Sequence, residues 1–231
     1  MLLGIGILAF FKYTNFLIDF LKGLFSALHL GISVINILVP VGISFFIFKI
    51  LSYFQDIYKG KIKASTDWVA FFDYVAFFPC LLAGPIDKAK TFIPQLELKR
   101  TFDYQLAVAG MRQILWGLFK KLVIADNCAI IAGDVFENYQ KMPGSSLLIG
   151  AFFYSIQIYA DFSGYSDIAI GISKLLDIRV TQNFNYPYFS QNTAEFWRKW
   201  HMSLTSWLTE YLFTPLNIAF RDFGKIESRW L

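Results

Sequence analysis

What constrains this chain most is a set of apolar blocks, two of them overlong for one straight helix, each interrupted where a clean helix should run. Ala27 to Tyr58 is broken by Pro40 and Gly42 within LVPVG. Trp68 to Ile86 carries Pro79, Gly84 and Pro85 in FFPCLLAGP, and Leu147 to Leu176 holds the polar insertion YADFSGYSDIAIG. A bilayer span needs about 20 consecutive apolar residues. A proline inside a helix removes a backbone hydrogen bond and clashes with the preceding turn. The pattern predicts an all-α, polytopic membrane protein, a multi-helix core with broken or re-entrant helices. Composition agrees: the chain is 56% hydrophobic and 16% charged, against about 45–50% and 25% in soluble domains.

The remaining segments fill in that outline. Met1 to Leu21 reads as one span, weakened by Lys12, Asn15 and Asp19, and it lacks the basic start and cleavage site of a signal peptide. After LVPVG a helix is expected from about Ile43 to Ile57. Basic residues flank the third block on both sides, Lys59, Lys61 and Lys63 before it and Lys88, Lys90, Lys99 and Arg100 after it. If cytoplasmic loops collect Lys and Arg, both ends lie on one side, which a re-entrant or broken helix satisfies provided its irregular backbone is covered by protein or lines a cavity. Phe102 to Phe136 reads as helical, with Lys120 and Lys121 snorkelling at an interface, so it is either one long helix leaving the membrane or two short ones. Cys80 and Cys128 have no metal or redox spacing and read as small apolar residues inside helices. A net charge of +4 fits loops near anionic lipid and does not imply nucleic acid. Without a repeat or linker, residues 1–231 form a single unit.

Two polar constellations stand out. Asp161 and Asp167 bracket FSGYS; six residues apart on a helix they are ~120° from sharing a face. They suit a paired acid–base couple poorly and read either as polar glue between helices or as cavity lining, with Gly164 marking a kink or a close helix contact. The second is NFNYPYFSQNTAEFWRKWHMSLTSWLTEYLF, residues 183–213. Asn192 and Glu195 resemble a capping box, which starts a helix at Thr193. On it Phe196, Trp200, Leu204, Trp207 and Tyr211 form an aromatic stripe, with His201 on the neighbouring stripe. Glu195 and Lys199 can pair at i, i+4, and Arg198 at i−3 can disfavour a charged His201 ring. His29 lies in an apolar run without polar neighbours. A lone histidine on an aromatic helix is more readily structural than catalytic, and no nucleophile elbow, phosphate loop or metal-ligand cluster accompanies it.

NFNYPYFSQNTAEFWRKWHMSLTSWLTEYLFTPL resembles the signature region of the membrane-bound O-acyltransferase family, in its bacterial alginate O-acetyltransferase and teichoic-acid D-alanyl-transfer branch. VPVGISFFIFKILSYFQDIYKG, VAFFPCLLAGPIDKAKTFIPQL and QIYADFSGYSDIAIGISKLLDIRV match the same branch in order. The resemblance implies helices with re-entrant pieces around a tunnel, in a bacterial cytoplasmic (inner) membrane protein of several passes. It implies passage of an acyl group, acetyl in the commonest case, to a hydroxyl of a cell-envelope polysaccharide. His201 matches the histidine of WRxWHxS and is the expected catalytic base. Arg198, Trp200, Ser203, Asn183, Pro187, Asp161 and Asp167 are expected to shape the site or substrate channel. No cofactor or metal is expected; an acyl thioester or acyl carrier is the co-substrate. The expected partners are membrane lipid, the acyl donor or carrier protein, and a polysaccharide acceptor or periplasmic acetyltransferase. The resemblance also implies a second histidine in a Trp-His-Gly motif beyond a further hydrophobic helix. The sequence contains no such motif, so the expectation is a central fragment, truncated at both ends, without the complete catalytic pair. A catalytically inactive scaffold or acyl-transfer partner is the alternative, and a transporter a third.

Overall fold

The computed structural model describes residues 2–27 and 37–220. Every regular element among them is helical. The short helix expected ahead of LVPVG, His29 and the tail beyond Phe220 lie outside the described residues.

α1 (Leu2–Ala27) contains, from Gly4 to Lys22, the one helical stretch among the described residues that is long and apolar enough to cross a membrane. Asn15, which weakens this span on paper, holds the incoming chain. Its amide nitrogen donates to Ile37 O at 2.8 Å, and its oxygen accepts from Ile37 N at 2.9 Å. The break at LVPVG falls where Pro40 and Gly42 put it. Gly42 is left-handed (φ 75°), and a Cβ there would lie 2.5 Å from Leu81 O. Only glycine suits both the conformation and the space. α2 (Ile43–Tyr58) follows, close to its expected start and end.

The third apolar block is broken as expected. α3 (Trp68–Ala76) is capped by the Asp67 carboxylate, which accepts from Val69 N at 2.8 Å and Ala70 N at 3.2 Å. It stops at Phe77, two residues before Pro79. One 3₁₀ turn (Phe78–Cys80) leads into residues 84–87, all buried, before α4 (Ala89–Glu97). Residues 84–87 are covered by protein, whereas Phe78 and Leu82 ahead of them are exposed. Cys80 sits on that turn rather than in an α-helix, and Cys128 in α6 (Asp126–Glu137); both are free and buried.

α5 (Tyr104–Leu118), a π-helical segment (Phe119–Ala125) and α6 run on as one helical stretch, and α7 (Gly144–Leu175) returns along it. Two pairs of glycines make the contact. A Cβ on Gly110 would lie 2.7 Å from Gly171 O, one on Gly117 2.6 Å from Gly164 O, and the reciprocal distances are 2.7 and 2.8 Å. Small residues at such a crossing let backbones approach closely. Gly164 is thus a close contact, and the helix passes through it without a break. Lys120 and Lys121, read from sequence as snorkelling, both find carboxylate partners on α7. Lys120 pairs with Asp167, and Lys121 bonds Asp161 at 2.7 Å and Asp126 at 2.8 Å. The close backbones bring the α7 carboxylates within reach of both lysines. Adjacent residues on an ideal helix diverge by about 100°; both lysines reach α7 from the π-helical segment.

The aromatic stripe predicted as one helix is two. α8 (Thr193–Lys199) ends at Trp200, which is extended (φ −100°, ψ 127°), and His201 is left-handed (φ 44°, ψ 53°). α9 (Met202–Leu208), a second π segment (Thr209–Phe213) and α10 (Thr214–Phe220) then continue as one rod. Trp207 and Tyr211 join Ile43, Ile47, Leu51 and Ile86 in a buried apolar cluster. The Trp207 indole N–H donates to Phe48 O at 3.1 Å, with the two rings 4.5 Å apart. The Tyr211 hydroxyl donates to Asp56 at 2.7 Å, and Glu210 pairs with Lys61 and Lys88. The second rod is thereby fixed to α2 and to the broken third block.

Candidate active site

The helix break at His201 has a visible cause. Asn183 and Asn185 run alongside residues 199–202 as a short two-bond ladder: Asn185 N donates to Lys199 O at 3.0 Å and Met202 N donates to Asn183 O at 2.9 Å. A continuous helix would direct the Met202 N–H along its own axis; the ladder turns it sideways. The left-handed backbone at His201 costs about 1–2 kcal/mol for a residue with a Cβ, and the ladder bonds and burial hold it there. The cap is as expected at Thr193, with Asn192 Oδ1 accepting from Glu195 N at 2.8 Å. The return bond goes one residue further back, from Gln191 N to the Glu195 carboxylate at 2.9 Å, and Glu195 pairs with Lys199 at 2.6 Å.

His201 is 8% exposed and Asn183 0%. The imidazole Nδ1 lies 3.3 Å from Asn183 Oδ1, the same oxygen that accepts from the Ser203 hydroxyl at 2.6 Å. Ser203 Oγ in turn accepts from Ile86 N at 3.0 Å, and Asn183 Nδ2 donates to Ser166 Oγ at 3.3 Å. An Nδ1 that faces Oδ1 can bond it only as a donor, in the tautomer that leaves Nε2 its lone pair. The Phe162 ring packs edge-on against the imidazole at 4.7 Å. Burial pushes the His201 ring down from 6.5 to about 4, which keeps it neutral at ordinary pH. The Arg198 influence expected from i, i+3 spacing is not there: the break at Trp200 separates the two, and Arg198 is exposed.

The other residues singled out from sequence fall into two groups. Trp200 stacks on Phe196 at 5.4 Å and meets Phe184 edge-on at 5.1 Å, so it walls the site. Pro187 is buried at the start of a 3₁₀ turn that follows a left-handed Tyr186 (φ 46°). Asp161 and Asp167 sit on different sides of α7, as their spacing implies. Asp167, bonded by Gln113 at 2.9 Å and paired with Lys120, lines a cavity of about 590 Å³ whose wall also includes Trp116, Tyr159, Ser163 and Asn183. Asp161, with Lys121, Phe162 and Tyr165, lines a second cavity of about 360 Å³. The polar insertion is both glue and lining. His201 thus touches the wall of one cavity through Asn183 and of the other through Phe162.

Sequence reasoning missed four contributors. Lys120 and Lys121 were read for depth rather than for partners. Asp87 is 4% exposed, with one oxygen accepting from Thr181 N (2.8 Å) and Oγ1 (2.5 Å) and the other unpartnered, and burial pushes its carboxyl up. It anchors the segment that leads to Asn183. Lys49 is 1% exposed inside α2, donating to Tyr74 O at 3.1 Å. A lysine and an aspartate inside otherwise apolar blocks were the available signal.

Residues 33–226 match the family model described as MBOAT, membrane-bound O-acyltransferase family. The chain is 40% identical over 222 residues to a probable alginate O-acetylase AlgI of Pseudomonas putida, covering 94% of this chain and 45% of that protein. It is 35% identical over 244 residues to a peptidoglycan O-acetyltransferase of Helicobacter pylori, covering 93% and 45%. Against a teichoic acid D-alanyltransferase of Bacillus subtilis it is 30% identical over 200 residues, covering 85% and 49%. The chain spans about half the length of these curated relatives.

Proposed function

The chain belongs to the membrane-bound O-acyltransferase family, and from that premise we propose that it carries the base of an acyl transfer to a hydroxyl, with His201 in that role. The relatives' names, alginate O-acetylase and peptidoglycan O-acetyltransferase, support acetyl as the group and a cell-envelope polysaccharide as the acceptor. The observation that carries the reading is a buried, neutral imidazole whose Nδ1 is engaged by Asn183, leaving Nε2 to accept a proton. In the reaction, Nε2 takes the proton of the acceptor hydroxyl as its oxygen attacks the carbonyl of an acyl thioester. The C–S bond breaks, the thiolate leaves and takes the proton back, and the products are an ester and a thiol. Hydrolysis competes, so a dry site is required, and the aromatic wall of Trp200, Phe184 and Phe162 serves that end. The cavities on either side of α7 suit separate approaches for donor and acceptor. The setting is a bacterial inner membrane, crossed several times.

Acyl transfer to a polysaccharide acceptor, measured in membranes that hold the full-length protein, for wild type and His201→Ala at equal abundance, tests the reading. Loss of a general base lowers the rate about 10²–10⁴-fold. Unchanged transfer by His201→Ala removes the residue from the chemistry and favours a scaffold.

A further inference from the structure

The hydrogen bonds around Asn183 have a direction, and it starts in the broken third block. A backbone N–H can only donate, so the bond from Ile86 N to Ser203 Oγ fixes that oxygen as an acceptor. The hydroxyl's one hydrogen is then free to point at Asn183 Oδ1, 2.6 Å away. An amide can present either its oxygen or its NH₂ toward the ring, and the two faces impose opposite imidazole tautomers. Reversed, Asn183 would aim NH₂ at a serine oxygen that already accepts, stranding the serine hydrogen in a site where Ser203 is 4% and Asn183 0% exposed. Ser166 Oγ tolerates either orientation because a hydroxyl donates as well as accepts, so it does not decide the matter. Asp87, next in sequence to Ile86, accepts from Thr181 two residues before Asn183, which ties the start of this relay to its amide.

We propose that Ser203 is a positioning residue, which relays the donor character of the Ile86 N–H through Asn183 to hold His201 in the tautomer with Nδ1 protonated and Nε2 bare. The proposal rests on the reading of His201 as the base, but its test does not depend on catalysis. The chain has two histidines, so His29→Gln leaves one imidazole whose nitrogens can be followed by ¹⁵N NMR in detergent micelles. The parent protein shows Nδ1 as the protonated nitrogen. Ser203→Ala lowers the ratio of the two tautomers about tenfold, the equivalent of about one hydrogen bond. Ser203→Thr, which keeps the hydroxyl, restores it. Asn183→Asp in the Ser203→Ala background also restores it, since a carboxylate can only accept. A merely structural serine would be rescued by Thr but not by Asp. An Nε2-protonated ring in the parent, or a tautomer ratio indifferent to Ser203→Ala, overturns the relay. Transfer that survives His201→Ala would overturn the base instead, and leaves these spectra unaffected.

Discussion

The α5–α7 crossing and the His201 site solve opposite problems with opposite kinds of backbone. At the crossing, regular helices meet glycine to glycine, and the side chains that matter there are absent ones. At the site the elements are short: a seven-residue helix, a left-handed histidine, a two-bond ladder and the buried 84–87 segment. The first region sets how far apart things are. The second sets which way polar atoms face, and does so by freeing backbone N–H groups from helices and aiming them at side chains. Rigidity comes from regular structure and polarity from its interruptions.

If that division is right, substitutions in the two regions should separate stability from chemistry. The largest effect is expected from Gly117→Leu, whose Cβ alone would sit 2.6 Å from Gly164 O. It should cost more than about 4 kcal/mol, seen as loss of a monodisperse folded peak in detergent. Next is Lys120→Met, which leaves Asp167 without its cation beside a cavity. It should lower stability by about 3 kcal/mol, and Asp167→Asn in the same chain should recover most of it. An equal loss in the double variant would mean that the pair's charge is not what holds α7.

Smaller effects probe the site. His201→Gly should be more stable than His201→Ala by about 1 kcal/mol, because only glycine takes φ 44° without strain. A less stable glycine variant would show that the left-handed turn relaxes freely. The smallest is a pH effect. His201 titrates near 4 when folded and near 6.5 when unfolded, so between these values the unfolded chain binds the extra proton. Stability should therefore fall as pH drops through that window. The transfer rate should show no acid limb near 6.5, and a limb there would mean a ring more open to water than its burial implies.

The same division explains what could be read without coordinates. Helix starts at Ile43 and Thr193, the break in the third block and the opposed faces of Asp161 and Asp167 all follow from local rules of proline, capping and helical period. The break at Trp200–His201 does not, because the aromatic spacing from Phe196 through Tyr211 continues through it unperturbed. No glycine or proline marks the turn; bonds to Asn183 and Asn185 impose it from a separate segment. Lys120 and Lys121 escaped for a related reason, since their partners depend on a glycine contact with another helix. Only the family resemblance singled out His201; its spacing alone favoured a structural role.

The relay's two ends also differ in when they can form. Asn183 and His201 are 18 residues apart, whereas Ile86 and Ser203 are 117 apart. Closing the longer loop costs about 1.7 kcal/mol more in chain entropy than closing the shorter one. During synthesis and insertion the histidine can therefore meet its asparagine early, while the donor that orients that asparagine arrives only when the third block has docked. A copy caught between those two moments holds its ring without a fixed tautomer. If His201 is the base proposed above, competence for acyl transfer is then a late event in assembly.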